Sequence, residues 1–205
     1  MTKKKDVLRP ALWTRRPVQE TIAVYADWAD SYDEDVAARG YRTPDRLASA
    51  LAAYASRDLP VLDFGCGTGI GGAALRRAGF EAIDGTDITA QMLEKAAASG
   101  IYRETWHSSP DDMGFAAGKY PIIVALGVVS LGAAPADTLG PLIGKLNAGG
   151  LLALSFNDPT LQDQSYAEAL DTAVNAGRVT VIFREHGPHL DDIGMGSDVI
   201  ILRRL

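Results

Sequence analysis

The sequence predicts an α/β domain in which helices cover both faces of a mostly parallel β-sheet. From residue 59 onward, short apolar runs alternate with amphipathic segments, and Gly or Pro stands at most of the junctions. This alternation is typical of parallel strands, because each helix carries the chain back to the start of the next strand. The last two β-branched runs have no helical pattern between them, which predicts an antiparallel hairpin at one edge of the sheet.

The composition fits one globular domain and limits its partners. The chain has 205 residues, of which 47% are hydrophobic and 22% charged, and its net charge is −6. A chain of this length can bury a sizeable core. The excess of acidic over basic residues argues against binding to the phosphate backbone of a nucleic acid. We therefore expect a small-molecule substrate and no nucleic-acid partner. The single cysteine, Cys66, excludes an intrachain disulfide and fits a reducing compartment.

The sequence predicts a cytoplasmic protein without a membrane partner. The start lacks the apolar run of a secretory signal, and the longest apolar stretch, residues 122–134, is interrupted by Gly and Ser. We expect residues 1–17 to form a flexible basic N-terminal tail. Its basic residues are Lys3, Lys4, Lys5, Arg9, Arg15 and Arg16.

Two amphipathic helices are predicted before the first strand. Apolar residues recur at steps of three and four, as an amphipathic helix requires. They are Ile22, Tyr25, Trp28, Ala29 and Tyr32 in the first helix, and Leu47, Ala50, Leu51 and Tyr54 in the second. Thr43 is the expected N-cap of the second helix, because Pro44 follows at the first helical position. We expect this helix to end near residue 57.

Strands and helices then follow in a regular order. Strands are predicted at 59–64, 80–86, 101–107, 120–126 and 151–156, and helices at 70–78, 89–99, 136–146 and 163–176. The predicted hairpin strands are 179–183 and 199–202, and their connection runs through Gly187, Pro188, Gly194 and Gly196.

A glycine-rich loop joins the first predicted strand to the next helix. Gly65, Gly67 and Gly69 leave room for a ligand to approach the backbone N–H groups at the helix N-terminus. Asp87 ends the second strand about 20 residues further on, where a carboxylate in such folds accepts hydrogen bonds from ribose hydroxyls. The combination predicts nucleotide binding, and its spacing also fits a dinucleotide cofactor. A P-loop is excluded, because the glycines are not followed by Lys-Ser or Lys-Thr.

Several segments of the sequence resemble one known family. They are Asp-Phe-Gly-Cys-Gly-Thr-Gly at 63–69, Gly-Thr-Asp-Ile-Thr at 85–89 with Met-Leu at 92–93, Tyr-Ala-Asp-Trp-Ala-Asp-Ser-Tyr-Asp at 25–33, Gly-Ile-Tyr-Arg at 100–103 and Gly-Gly-Leu-Leu at 149–152. The first two resemble motifs of class I S-adenosylmethionine-dependent methyltransferases. The others make the chain similar, over roughly residues 20–157, to the Williams–Beuren-region methyltransferase-like family.

The resemblance implies a fold, a cofactor and a domain organisation. The fold would be a Rossmann-like, doubly wound sheet of seven strands, with the hairpin as strands six and seven. The cofactor would be S-adenosylmethionine. Residues 18–205 would form a single methyltransferase domain, in which the helices of 18–57 cap the cofactor site and residues 58–205 form the core.

The resemblance also implies which residues bind the cofactor. Around the methionine and ribose they are Asp63, Gly65, Gly67, Gly69 and Asp87; at the adenine, Ile88, Ser108 and Ser109; on the pocket floor, Leu126 and Gly127; and over the methionine end, Tyr25 and Tyr32.

The sequence departs from the family at three points. Ser109 stands where Asp is usual, so Asp111 or Asp112 would have to serve the adenine amine. Pro121 replaces the Asp that usually follows the preceding Tyr. Residues 130–133 are Ser-Leu-Gly-Ala where the family has Thr-His-Gly-His. The acid–base role of those histidines is therefore not transferred, and no catalytic residue is predicted.

Two alternatives stay open beside a methyltransferase. An NAD(P)-dependent oxidoreductase fits the glycine spacing, but it is disfavoured by Asp63 ahead of the loop and by the C-terminal hairpin. A non-catalytic S-adenosylmethionine-binding protein would account for the missing histidines.

Candidates for an acceptor pocket lie near the carboxyl edge of the predicted sheet. They are Tyr25, Trp28, Tyr32, Asn157 and Asp158. Tyr and Trp can stabilise a sulfonium by a cation–π contact. Helix packing accounts for the aromatic residues equally well, and capping of the next helix accounts for the two polar ones. His186 and His189 are too few for a metal site, and none is predicted.

Overall fold

The computed structural model describes residues 10–205, with side chains from residue 12 onward. The strands are β1 (Val61–Phe64), β2 (Ile83–Asp87), β3 (Thr105–His107), β4 (Ile122–Ala125), β5 (Leu151–Asn157), β6 (Val179–Leu190) and β7 (Met195–Arg204). The α-helices are α1 (Val18–Trp28), α2 (Tyr32–Ala38), α3 (Thr43–Ala52), α4 (Ile70–Arg77), α5 (Ala90–Ala98), α6 (Leu139–Gly144), α7 (Asp158–Gln162) and α8 (Gln164–Asn175). Among these residues, no helix is both long and apolar enough to cross a membrane.

The sheet confirms the predicted doubly wound, seven-stranded architecture. Its strand order is β3-β2-β1-β4-β5-β7-β6. The strands from β1 to β5 pair in parallel, and β7 is antiparallel to both β5 and β6. The chain order reverses between β1 and β4, and in open α/β sheets ligands bind beyond the carboxyl ends of the strands at such a point.

The C-terminal hairpin is longer than predicted. Gly187, Pro188 and Gly196 were expected in the connection, but they lie within β6 and β7. Pro188 is tolerated because β6 is an edge strand, where one side of the backbone has no partner strand. The turn itself is a short 3-10 helix that ends at Gly194, with φ of +62°.

The central strands are buried on both faces. Successive residues of a strand point to opposite sides of the sheet. Val61 and Ile122 therefore pack with α3 and α4, whereas Leu62 and Ile123 pack with α6 and α8. Burial on both faces explains why these strands are continuous apolar runs and do not alternate with polar residues.

Three α-helices precede β1, where two were predicted. The expected first helix breaks between Trp28 and Tyr32. Asp35 fixes this break, because its Oδ2 accepts hydrogen bonds from Trp28 Nε1 at 2.9 Å and from Ser31 Oγ at 2.7 Å. The apolar spacing continues across the break, so periodicity alone did not reveal it.

Helix α3 differs from its prediction at both ends. It ends at Ala52, earlier than the expected end near residue 57. The prediction of Thr43 as the N-cap is wrong, because the helix begins at this residue and Arg42 precedes it. The Thr43 hydroxyl lies 2.8 Å from both His189 Nδ1 and Ser197 Oγ. A tertiary contact therefore uses the side chain that local sequence assigned to capping.

Part of the predicted tail contacts the rest of the domain. Residues Pro10–Trp13 form a 3-10 helix, and Leu12 is buried. Arg15 forms three hydrogen bonds to the carboxylate of Asp163, at 2.8, 2.9 and 3.2 Å. Residues 1–9, which carry most of the basic cluster, lie outside the described residues.

Candidate functional site

The glycine loop lies between β1 and α4, at the carboxyl edge of the sheet. Gly65, Gly67 and Gly69 all have positive φ, at +71°, +55° and +105°, a region that side chains rarely adopt. A Cβ on Gly65 would lie 2.3 Å from Val128 Cγ2, whereas one on Gly67 would meet nothing within 4 Å. The loop therefore requires Gly65 for close packing, and its surface at Gly67 is open to a ligand.

Asp87 connects the glycine loop to the end of β2. It is buried, and its two carboxylate oxygens accept hydrogen bonds from the backbone N–H groups of Gly67, at 2.9 Å, and Thr89, at 2.8 Å. Burial raises the pKa of Asp87, and the two backbone hydrogen bonds oppose the rise. The Thr89 side chain also hydrogen-bonds to this carboxylate. Because a carboxylate offers about four acceptor positions, one stays available to a ligand.

Asp63 is a second buried carboxylate, at the end of β1. Its Oδ2 accepts a hydrogen bond from the Tyr102 hydroxyl at 2.8 Å. Burial raises the pKa of Asp63 to about 6, while hydrogen bonds from Tyr102 and from the Gly72 backbone oppose that rise. The charge of Asp87 raises it further. Tyr102 was not predicted, because it lies 39 residues from Asp63 in sequence.

Aromatic side chains of the N-terminal helices form a cluster beside the loop. The ring centroids of Tyr25 and Tyr32 lie 6.4 Å apart, and that of Trp28 lies 4.6 Å from Tyr32. Tyr32 lines a cavity together with the loop, and Tyr25 packs in the same cluster as Tyr32 and Ile70 of α4. Their roles toward a ligand stay predictions.

A small cavity remains between these helices and the loop. Its volume is about 50 Å³. It is lined by Tyr32, Tyr41, Asp63, Gly65, Cys66, Gly67, Thr68, Ile70, Gly71 and Leu126. Five of these ten residues were predicted, and Tyr41 and Thr68 are the missed ones with polar side chains. Thr68 Oγ1 donates a hydrogen bond to Asp33 Oδ1 of α2 at 2.5 Å, which joins the helices to the loop.

The environment of Cys66 disfavours a reactive thiol, because the side chain is buried and its pKa is raised. Burial and the charges of Asp63 and Asp87 raise its pKa, so the thiol stays protonated at neutral pH. The hypothesis that Cys66 fills space in the loop agrees with this environment.

The residues predicted around adenine lie at the ends of β2 and β3. Ser108 is buried, and its backbone N–H donates to the Asp87 carbonyl at 3.0 Å. The Ile88 carbonyl lies 2.9 Å from His107 Nε2. Ser109 is exposed, and its Oγ accepts from the Asp112 backbone N–H at 3.1 Å. None of the three predicted residues lines the small cavity, and their contact with adenine stays a prediction.

The predicted pocket floor lies at the end of β4. Leu126 lines the cavity. The Gly127 N–H donates to Ser155 Oγ at 3.0 Å, and its carbonyl accepts from Ser130 Oγ at 3.0 Å. Both backbone groups of Gly127 are therefore engaged within the protein.

The polar acceptor candidates make structural contacts. Asn157 Oδ1 accepts from the Thr160 N–H at 3.1 Å and caps α7. Asp158 Oδ2 accepts from the Gly196 N–H at 2.7 Å. His186 Nδ1 lies 2.9 Å from Asp198 Oδ1. These contacts favour the capping interpretation of Asn157 over an active-site role.

A larger cavity lies at the opposite edge of the sheet. Its volume is about 360 Å³, and its lining includes Tyr54, Pro121, Gly149 and Arg203. It contains no carboxylate and does not touch the glycine loop. Volume alone therefore does not identify the candidate site; the convergence of the loop with Asp63 and Asp87 does.

Comparison with known sequences identifies relatives. A family model described as a methyltransferase domain matches residues 32–190. Human methyltransferase-like protein 27 is 34% identical over 166 residues, which are 76% of this chain and 65% of that protein. A ribosomal protein L11 methyltransferase of Shewanella halifaxensis is 29% identical over 154 residues, 73% of this chain and 43% of that protein. The chain thus spans less than two thirds of either relative.

Solved structures share the fold. The cyclase SpnF aligns over 93% of this chain and 97% of that chain, with a TM-score of 0.69 and 16% identity. Magnesium protoporphyrin IX methyltransferase from Synechocystis PCC 6803, with bound SAH, aligns over 90% of this chain and 100% of that chain, with a TM-score of 0.62 and 18% identity.

Proposed function

Because the chain belongs to the methyltransferase-domain family, we propose that it is an S-adenosylmethionine-dependent methyltransferase that acts on a small-molecule acceptor. The observation that carries the proposal is the buried Asp87 carboxylate, which accepts a hydrogen bond from Gly67 and keeps an acceptor position beside an open stretch of the loop. The family match and the relatives favour this function over an NAD(P)-dependent oxidoreductase.

The residues of the site fit the proposed cofactor. S-adenosylmethionine, when bound, supplies a methyl group that is already activated on its sulfonium sulfur. Asp87 would accept hydrogen bonds from the ribose hydroxyls, and the open surface at Gly67 admits a ligand close to the backbone. Asp63 and Asp87 give the site a negative charge that suits a cationic ligand. Residues 18–57 would exclude water from the site.

The proposed chemistry relies on positioning more than on acid–base groups. Burial raises the pKa of Tyr25, Tyr32 and Tyr41, so these phenols stay protonated at neutral pH. Burial lowers the pKa of His189 to about 4, so this imidazole is neutral. The acceptor would bring its own lone pair, and its proton would leave to solvent. Alignment and exclusion of water are what the protein contributes.

A small acceptor is supported by the closed form of the site. Residues of α2, namely Tyr32 and Asp33, lie against the loop, which favours a substrate that can be enclosed. Some relatives are named for a ribosomal protein, and a protein acceptor would need an open approach. A cytoplasmic location is part of the proposal, because Cys66 is a free thiol.

The binding half of the proposal is tested by calorimetric titration with S-adenosylmethionine, S-adenosylhomocysteine, NAD and NADP. We expect only the two sulfur nucleosides to bind. Asp87→Ala should weaken S-adenosylmethionine binding by roughly 1–3 kcal/mol, since a charged hydrogen-bond partner is lost. Asp171→Ala, which removes an exposed carboxylate on α8, is the control. Unchanged affinity in folded Asp87→Ala would refute the ribose role.

The catalytic half is tested with S-adenosylmethionine labelled on its methyl group. The protein is incubated with the small-molecule and the macromolecular fractions of a cell extract. We expect label to be transferred in the small-molecule fraction. Transfer only to macromolecules would contradict a small acceptor, and tight binding without any transfer would favour the non-catalytic alternative.

A further inference from the structure

We propose that Tyr41 sets the preference of the site for a sulfonium cation over a neutral thioether. This inference rests on the proposed function. Its ring would form one wall at the sulfur position, so that S-adenosylmethionine binds better and S-adenosylhomocysteine, which lacks both the methyl group and the positive charge, leaves more easily. The residue carries no motif in the sequence, and its place emerges only in the structure.

Tyr41 lies where the methionine end of the cofactor is expected. It lines the small cavity together with Asp63, Gly65 and Leu126. A Cβ on Gly127 would lie 3.6 Å from the Tyr41 hydroxyl, so this side chain also reaches the pocket floor. Tyr41 thus spans the distance between the ends of β1 and β4, the two strands at which the chain order reverses.

The Tyr41 backbone is tied to the hairpin as well as to the N-terminal helices. Tyr41 forms an isolated antiparallel bridge with Leu190 of β6, and the next residue, Arg42, donates its N–H to the His189 carbonyl at 2.9 Å. These contacts connect it to the sheet through the end of β6, so a movement of α1 does not have to displace it.

The Tyr41 ring packs against the ring of His189, which a chain of polar contacts holds in place. The His189 ring meets it edge to face, with centroids 5.2 Å apart and planes at 82°. His189 Nδ1 lies 2.8 Å from Thr43 Oγ1, which lies 2.8 Å from Ser197 Oγ. Arg46 donates to Ser197 Oγ at 3.2 Å. A ring fixed in this way loses little conformational entropy when a ligand binds.

The charges around Tyr41 favour a cation. Among the described residues, the charged groups that most affect the pKa of Tyr41 and of Tyr32 are carboxylates. They are Asp63 for Tyr41, and Asp33 and Asp87 for Tyr32. His189 stays neutral, because burial lowers its pKa to about 4. Tyr25 is not among the residues that line the cavity, and it is the tyrosine whose pKa is lowered by a cation, Arg16, against the rise that burial causes. A cation over an aromatic face gains more when it is desolvated.

The test is calorimetric titration of the full chain and its variants with S-adenosylmethionine and with S-adenosylhomocysteine. In Tyr41→Leu we expect the Kd of S-adenosylmethionine to rise roughly three- to thirtyfold, while that of S-adenosylhomocysteine changes less than about twofold. Tyr41→Phe keeps the ring and should keep the ratio of the two Kd values. Tyr54→Leu, an exposed tyrosine at the opposite edge of the sheet, is the control.

Three outcomes would overturn the inference. Neither Kd changes in Tyr41→Leu; or both Kd values rise by the same factor, which indicates a structural role; or Tyr41→Phe loses as much affinity for S-adenosylmethionine as Tyr41→Leu, which assigns the effect to the hydroxyl. Tyr41→Met is a second aliphatic variant if the Leu variant does not fold. Failure of the unmodified protein to bind either ligand would instead contradict the proposed function.

Discussion

The sheet core and the two first α-helices are held by different kinds of contact. The strands bury Val61, Leu62, Ile122 and Ile123 completely and on both faces. By contrast, α1 and α2 share with the preceding 3-10 helix a small cluster whose buried residues are Leu12, Trp28 and Val36. Helix α3 packs with the sheet, although the sequence grouped it with the first two helices.

Polar contacts complete the attachment of α1 and α2. Asp33 accepts from Thr68, and Asp30 forms an ion pair with Lys95 at 2.8 Å. An exposed ion pair such as the one between Asp30 and Lys95 contributes little to stability. From this difference we expect the core to determine whether the protein folds and the less tightly attached helices to control access to the proposed site. The predictions below test this division.

The largest expected effect compares one substitution in the two regions. Leu62→Ala should lower the free energy of unfolding by about 2–5 kcal/mol, because a fully enclosed side chain leaves a cavity. Leu12→Ala should cost only about 1 kcal/mol, since its short segment can relax around the change. Urea denaturation measures both. Equal losses would show that the first helices and the core are one cooperative unit.

The second prediction concerns the pH dependence of stability. The pKa of Asp63 is raised to about 6, against 3.8 for an ordinary Asp. Between these values the folded protein holds a proton that the unfolded chain has lost, so the free energy of unfolding rises as the pH falls through this window. The slope from one such group is at most about 1.4 kcal/mol per pH unit.

Asp63→Asn should flatten that part of the profile. Denaturant midpoints at several pH values between about 4 and 6 measure the difference between the variant and the unmodified protein. Asp171→Asn, on exposed α8, should keep the original slope. An identical slope in Asp63→Asn would mean that the Asp63 carboxyl is not protonated in the folded protein in this window.

Local sequence pattern predicted the elements that depend on local physics. Apolar runs predicted the strands, and the glycine loop followed from residues 65–69 with Asp87 at a fixed distance. The partners that complete the site are far apart in sequence. Tyr102 lies 39 residues from Asp63, and Thr68 lies 35 residues from Asp33. No periodicity encodes such pairs, because they form only when the fold brings distant segments together.

The strands of the C-terminal hairpin were predicted too short for a related reason. Gly187 and Pro188 are turn formers in an isolated sequence. In β6 they are tolerated, because this strand has a neighbour on one side only. Tyr41 escaped prediction since it lies in the short connection between α2 and α3, where amphipathic spacing carries no information.

The smallest expected effect concerns the hydrogen bond between the first helices and the glycine loop. The proposed ligand, S-adenosylmethionine, is far larger than a cavity of about 50 Å³, so we expect α1 and α2 to move when it enters or leaves. Thr68→Val keeps the shape of the side chain and removes its hydrogen bond to Asp33. The closed form should lose about 0.5–1.5 kcal/mol, and S-adenosylhomocysteine should dissociate roughly two- to tenfold faster.

Stopped-flow displacement measures this dissociation rate, and Thr172→Val on exposed α8 is the matched control. The free energy of unfolding should fall by no more than about 0.5–1.5 kcal/mol in Thr68→Val, because the core contacts are intact. A large loss of stability without a faster dissociation rate would contradict the division between core and first helices. A faster rate at constant stability would place the barrier to ligand exchange at the contact between Asp33 and Thr68, since that is the bond which the substitution removes.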